Sequence, residues 1–214
     1  MTKSKSTKST DTTLLVLVVD RSGSMESIRG DMEGGIASLI KEQASETGTC
    51  LVTLTQFDTE YELLCNAVPV ADLERYHLVP RGATALLDAI KRTIADVRTR
   101  LADLAPEDQP SVVFAVVTDG LENSSMEWSR DKVMAAVKDR IEAGWDFTFL
   151  GADQDAIQEG GRLGVDAGSA LTFGKTDAGA RMAMRSLSRS VSRKRSGETA
   201  RLQYTEDERR SSAG

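Results

Sequence analysis

Two short stretches constrain this chain more than anything else in it. Leu14–Val19 and Val112–Val117 are unbroken apolar runs, and each ends in an aspartate: LLVLVVD closes on Asp20 and VVFAVVTD on Asp119. Six residues are far short of the roughly 18–20 needed to cross a bilayer. Neither run alternates with polar residues. They therefore suit strands buried on both faces, which is the signature of a parallel sheet covered by helices on each side.

The rest of the chain supports that reading. Met25, Ile28, Met32, Ile36, Leu39 and Ile40 recur at helical spacing after the first strand. Leu51–Phe57 and Tyr61–Ala67 flank a tight polar turn at Asp58–Glu60 and predict an antiparallel hairpin. Leu86, Leu87, Ile90, Ile94, Val97, Leu101 and Leu104 form the stripe of a long helix, and Val133, Val137 and Ile141 mark another, stopped by Gly144. Phe147–Leu150 reads as a strand, Asp153 to about Leu163 as a short helix, and Ala170–Phe173 as an edge strand. Residues 177–194 form a last helix. The expected fold is α/β: a doubly wound, mostly parallel sheet with one antiparallel edge strand and helices on both faces. Its expected limits are 13–195, with a polar disordered tail at 1–12 and a flexible tail at 196–214, where no core signal is visible.

Charge is unevenly spread. The net charge is −6, but residues 1–12 carry three lysines and one acid, and residues 181–214 carry nine Lys/Arg and four acids. The body between them is strongly acidic. That argues against nucleic-acid binding through the domain face and suits a cation site. RSLSRSVSRKRS (185–196) reads either as a solvated helix end or as a basic surface for an acidic partner. The polar N-terminus lacks the apolar segment of a signal peptide, so a cytoplasmic location with no membrane association is expected. Cys50 and Cys65, offset in register on the predicted hairpin, are expected to stay reduced thiols.

In doubly wound sheets, ligands bind beyond the C-terminal ends of the strands, where the strand order reverses. If the strands ending at Asp20 and Asp119 are neighbours, both carboxylates reach one crevice. Ser22 and Ser24 leave the first strand in the turn DRSGS, with Gly23 allowing a tight path. Thr84 in RGATALLDAI opens the long helix. Taken singly, Ser24 and Thr84 are ordinary helix N-caps and Asp119-Gly120 an ordinary turn. Together, two carboxylates and three hydroxyls make an all-oxygen set, which selects a hard cation: Mg²⁺, with Mn²⁺ or Ca²⁺ as alternatives. Two aspartates only just neutralise a divalent ion, so it keeps a pull on one more anionic oxygen, such as a partner's carboxylate.

DRSGS at 20–24, the threonine of GAT (Thr84) and the aspartate of TDG (Asp119) resemble, in order, the metal-ion-dependent adhesion site of the von Willebrand factor A domain, whose relatives include the integrin I domain. The resemblance spans about residues 12–174. It implies a protein-binding module in which Ser22, Ser24 and Thr84 use hydroxyl oxygens on the ion. It also implies that Asp20 and Asp119 serve as direct or water-mediated ligands and that a partner's Asp or Glu completes the coordination. The compact chain looks like intracellular bacterial or phage members, which implies as partner an AAA+ ATPase or a stress-response system.

Enzymatic readings find less support, and the chain is expected not to be an enzyme. His77 is the single histidine, on a loop near the site rim. No serine lies in a G-x-S-x-G elbow. GSALTFGKT (168–176) fails as a phosphate loop, with five residues between its glycines where four are required. A Mg²⁺-dependent phosphatase or phosphotransferase is the alternative enzyme, with Asp20 as nucleophile; the second carboxylate such enzymes use two residues later is Ser22 here. A scaffold acting through its basic last helix is a further alternative. Arg21 and Arg81 flank the metal loops and are candidates to meet an acidic ligand. Trp128 is either a partner anchor or packing for the next helix, and the acids of Gly151–Asp155 are helix caps or site residues.

Overall fold

The structure is a computed structural model and describes residues 11–153 and 155–214. Its sheet has six strands: β1 (Thr12–Asp20), β2 (Thr49–Phe57), β3 (Tyr61–Pro69), β4 (Ser111–Thr118), β5 (Asp146–Ala152) and β6 (Ala170–Phe173). The spatial order is β3-β2-β1-β4-β5-β6, and only the β2–β3 pair is antiparallel. The two apolar runs are thus adjacent central strands, with Val19 beside Val117. The order reverses between them, which places the switch point between Asp20 and Asp119.

Among the described residues six α-helices cover the sheet: α1 (Arg29–Ser45), α2 (Leu86–Ala102), α3 (Arg130–Glu142), α4 (Ala156–Arg162), α5 (Asp177–Arg195) and α6 (Glu206–Ala213). The two-residue alternation of β1 divides the core into two. Leu15, Leu17 and Val19 pack with Met32, Ile36 and Leu39 of α1 and with Ala183, Met184, Leu187 and Val191 of α5. Leu14, Val16 and Val18 face Leu87, Ile90, Ile94 and Val97 of α2 and Val133 and Val137 of α3. Both faces of one strand are consumed, so its sequence shows no polar alternation. The α1–α5 contact depends on Gly35. A β-carbon there would lie 2.7 Å from Met184 Cγ and 2.8 Å from its Cβ, closer than packed carbons come.

The expected flexible tail from 196 is corrected by the structure. Leu202 and Tyr204 are buried in the α1–α5 core. The Tyr204 hydroxyl lies 2.7 Å from that of Thr148. α6 opens with a reciprocal capping box between Thr205 and Glu208, and Arg193 of α5 grips the Glu208 carboxylate with both terminal nitrogens at 2.9 Å. Two isolated apolar residues carry no periodicity, so this docking has no signature in the sequence. The expected tail at 1–12 falls almost wholly outside the described residues, and Thr12 already belongs to β1.

The basic segment 185–196 is an integral part of α5. Leu187, Val191 and Ser186, Ser188 and Ser190 are buried on it. Its last basic residues are spent internally. Lys194 pairs with Asp146 at 2.9 Å, and Arg195 donates to Gln43 Oε1 and to the carbonyls of Gln43, Thr47 and Gly48. In the hairpin, Cys65 lies opposite Leu54, four residues from Cys50, and both thiols are free. No helix among the described residues is long and apolar enough to cross a membrane.

Candidate metal centre

The five predicted oxygen donors come together at the C-terminal ends of β1 and β4. Asp20 is fully buried at the end of β1. Its Oδ1 accepts the Ser22 N–H at 2.6 Å, and its Oδ2 accepts the Thr118 hydroxyl at 2.5 Å. The Ser22 and Ser24 hydroxyls are 3.1 Å apart. Ser24 donates across the switch point to Asp119 Oδ1 at 2.6 Å. A β-carbon placed on Gly120 would sit 3.0 Å from Thr84 Oγ1, 3.8 Å from Ser24 Oγ and 3.9 Å from Asp20 Oδ2. Hydroxyls from two loops and a carboxylate from a strand end therefore surround one small volume. Gly120 leaves that volume open because it has no side chain.

The surrounding loops hold these groups in place. Gly23 N–H donates to Gly82 O and Arg81 N–H to Arg21 O, stitching the DRSGS turn to the Thr84 loop. Thr84 N–H donates to Asn123 Oδ1 at 2.9 Å and Asn123 N–H returns a bond to Thr84 O, which ties in the loop after Asp119. Glu122 accepts from Leu87 N–H in the first turn of α2, and Asp88 in that turn accepts from the N–H groups of Met126, Glu127 and Trp128.

The capping roles expected of Ser24 and Thr84 are corrected. α2 begins at Leu86 with Ala85 at its N-cap position, and its first N–H groups are met by Glu122 and Ser125 rather than by Thr84. A 3₁₀ turn, Gly23–Ile28, precedes α1, with Ser22 at its N-cap position and no side-chain cap bond. The hydroxyls of Ser24 and Thr84 thus turn toward the crevice.

Burial pushes the Asp20 carboxyl up to about 6; the Thr118 and Ser22 hydrogen bonds oppose that rise and Asp119 adds to it. Asp119 has a fully buried side chain. Its Oδ2 takes no directed hydrogen bond among the described residues and is met instead by the Lys175 ammonium at 2.7 Å. The donor set fits a hard divalent cation: oxygens only, two of them carboxylates, around a volume that a methyl group would fill. Among the described residues no group of three or more His, Cys, Asp or Glu side chains forms a metal cluster, which also sets this site apart from a thiolate or imidazole centre.

Neighbouring side chains divide differently from expectation. Arg21 and Arg81 do not face an incoming ligand. Arg21 is buried and donates to Asp58 at 3.0 Å and to Glu62 at 2.7 Å, while Arg81 donates to Asp58 at 2.7 Å and Glu60 at 2.5 Å. Burial alone would raise Asp58, yet the Glu60 N–H and these two guanidiniums hold it below the usual carboxylate range. Trp128 packs on the α2–α3 core, with Lys91 and Lys132 over its ring at 5.1 and 5.9 Å, so packing accounts for it. Asp155 caps α4 through Gln158 N–H. His77 is exposed, with its Nδ1 3.8 Å from a Glu33 carboxylate oxygen.

Sequence reasoning missed Thr118, Asn123 and Lys175. Thr118 carried a faint signal, as the one polar residue between an apolar strand and Asp119. Lys175 carried one too, two residues past a strand end on the same sheet edge.

No protein-family model matches the chain, and no curated protein matches it in sequence. Solved structures do. Proximal thread matrix protein 1 from the mussel byssus, in a form with a zinc-occupied metal-ion-dependent adhesion site, is 14% identical with a TM-score of 0.64, covering 84% of this chain and 46% of that one. The chain has the von Willebrand factor A fold. A von Willebrand factor type A protein from Catenulispora acidiphila aligns over 83% of this chain and 42% of its own at 15% identity and TM-score 0.58. The vWF domain of the pilus tip protein Mfa5 from Porphyromonas gingivalis aligns over 84% and 94% at 11% identity and TM-score 0.56. The chain spans less than half the length of the first two. At such identities the likeness establishes the fold alone.

Proposed function

We propose that this chain is a metal-ion-dependent protein-binding module. Asp20, Ser22, Ser24, Thr84 and Asp119 hold the ion, Mg²⁺ by preference with Mn²⁺ or Ca²⁺ as alternatives, and a partner's Asp or Glu supplies a further oxygen. The observation that carries this reading is the small open volume beside Gly120, bounded by Thr84, Ser24 and Asp20 oxygens from three separate segments. The mussel protein with zinc in the same class of site supports divalent binding on this fold. The ion supplies a Lewis-acidic point that attracts an anionic oxygen. The protein's own residues orient the hydroxyls, exclude competing side chains and bury Asp20.

Two features favour binding over turnover: Ser22 stands where a phosphotransferase needs its second carboxylate, and the carboxylate beside Ser24, that of Asp119, is already paired with the Lys175 ammonium. Leu121 and Met126, 57% and 94% exposed on the loop after Asp119, offer apolar contact to a partner at the crevice. The cytoplasmic setting, and a partner in an AAA+ or stress-response system, belong to the same proposal; the two unpaired thiols support a reducing compartment. The test is capture of a partner in Mg²⁺ and again in EDTA, with Asp20→Ala and Asp119→Ala as controls. Capture that needs the ion and both aspartates is expected. Full capture of the same partner in EDTA would overturn the mechanism.

A further inference from the structure

Asp119 is held from two sides. Ser24 donates to Oδ1 at 2.6 Å, and the Lys175 ammonium lies 2.7 Å from Oδ2. The carboxylate is wholly buried and the lysine side chain 25% exposed, so the contact is screened far less than a surface pair. Lys175 belongs to the segment whose glycine spacing rules out a phosphate loop. The fold instead aims its charge at the metal crevice.

The loop carrying Lys175 is fixed at every residue. Gly174 N–H donates to Ser212 O of α6 at 2.8 Å. Lys175 N–H donates to Asp153 Oδ1 at 2.8 Å, and Asp153 itself sits at φ +46°, with its N–H on Phe173 O. The Thr176 hydroxyl accepts the Gly179 N–H at 3.1 Å and caps α5. A β-carbon on Gly179 would fall 2.1 Å from Gly174 O, so only glycine lets α5 start this close to the loop. α6 is in turn locked to the start of β6 and the turn before it by Arg209, which donates to the carbonyls of Ala170, Ala167 and Gly168. The C-terminal helix thus buttresses the loop that delivers the ammonium.

We propose that Lys175 is a built-in counter-cation of the metal site, an inference that rests on the metal-binding reading above. The ammonium neutralises Asp119 whether or not an ion is present. A bound divalent ion is then balanced by Asp20 alone and carries more uncompensated positive charge. Two consequences follow: the site holds a bare ion weakly, and the ion it holds favours an anionic partner more strongly. Lys175 is a positioning and tuning residue rather than a ligand of the ion.

The experiment is isothermal titration of the full chain with MgCl₂ alone, for the wild type, Lys175→Met and Lys175→Arg, alongside thermal melts in EDTA and in saturating Mg²⁺. Repulsion between an ammonium and a divalent ion a few ångström away is worth about tenfold in affinity even at the dielectric of water. Lys175→Met is therefore expected to bind Mg²⁺ at least about tenfold more tightly. Lys175→Arg should stay near wild type. The melting temperature of Lys175→Met should fall in EDTA, where Asp119 lies buried without a counter-charge, and recover in Mg²⁺; a purely structural role would leave that deficit in both. Wild type that binds Mg²⁺ with Lys175→Met equal or weaker overturns this inference and leaves the metal site standing. Absence of Mg²⁺ binding in wild type and both variants overturns the metal-binding reading, and this inference with it.

Discussion

Replacing Gly120 with alanine tests the metal centre at its tightest point. The backbone there is not in the left-handed region, so an L side chain meets no conformational penalty. The added methyl would lie 3.0 Å from Thr84 Oγ1 and within 3.9 Å of Ser24 Oγ and Asp20 Oδ2. Mg²⁺ needs its oxygens at about 2.0–2.1 Å in a near-octahedral shell. A methyl in the volume those oxygens surround displaces the ion or turns the Thr84 hydroxyl away. Losing one ligand and part of the space should weaken Mg²⁺ binding at least tenfold, or about 1.4 kcal/mol. Stability should hardly change: alanine stiffens the unfolded chain by about 0.4–1 kcal/mol, against a contact that needs only a few tenths of an ångström of relief. Titration with MgCl₂ reads the first effect and a thermal melt the second, with a shift of no more than about 2–4 °C expected. A folded Gly120→Ala protein that binds Mg²⁺ as wild type does would show that the ion does not sit among these oxygens.

Other expectations concern the frame around the site. Leu202→Ala removes a buried side chain from the α1–α5 core and should cost about 2–4 kcal/mol in denaturant unfolding; a cost within experimental error would mean that the C-terminal segment does not dock in solution. Gly35→Ala drives a methyl into Met184 and should cost about 1–3 kcal/mol through separation of α1 from α5, unlike Gly34→Ala, which meets nothing. Burial alone would raise the Glu208 carboxyl, but Arg193 and the Thr205 N–H outweigh it and hold it below its ordinary 4.5. A carboxyl lowered by folding stabilises the protein above the unfolded value, and that contribution is lost as pH falls through the folded one. Unfolding midpoints should therefore drop below about pH 4.5 with a slope that Glu208→Gln makes shallower; an unchanged slope would show that this pair does not report on folding.

Local pattern revealed much of the architecture, and the reasons are physical. A strand buried on both faces has to be apolar throughout, so β1 and β4 announced themselves, and their aspartate ends announced the crevice. Asp20, Ser22 and Ser24 were legible because a turn of alternating oxygens is unusual beside such a strand. Thr84 and Asp119 became legible only as partners of that turn. The C-terminal helix was not legible, because α6 is polar on most of its surface and is held by the Arg193–Glu208 pair, by Arg209 on backbone carbonyls, by the Gly174–Ser212 backbone bond and by two apolar residues ahead of it. None of these has a periodicity that sequence can display.

The sequence by itself determined which residues carry oxygen donors and that two of them, Asp20 and Asp119, close buried apolar strands. Adjacency, whose physical cause is packing, was left to the tertiary structure. β1 and β4 are more than ninety residues apart in the chain, and only their pairing sets Ser24 against Asp119. Likewise, the bonds of the β6–α5 loop to Asp153 and to Ser212 of α6 set Lys175 there too. Charge placed by long-range packing leaves at most a faint local trace. The turn at 20–24 could therefore be recognised from its own residues, while Lys175, past a strand end, is paired with Asp119 only by the tertiary structure.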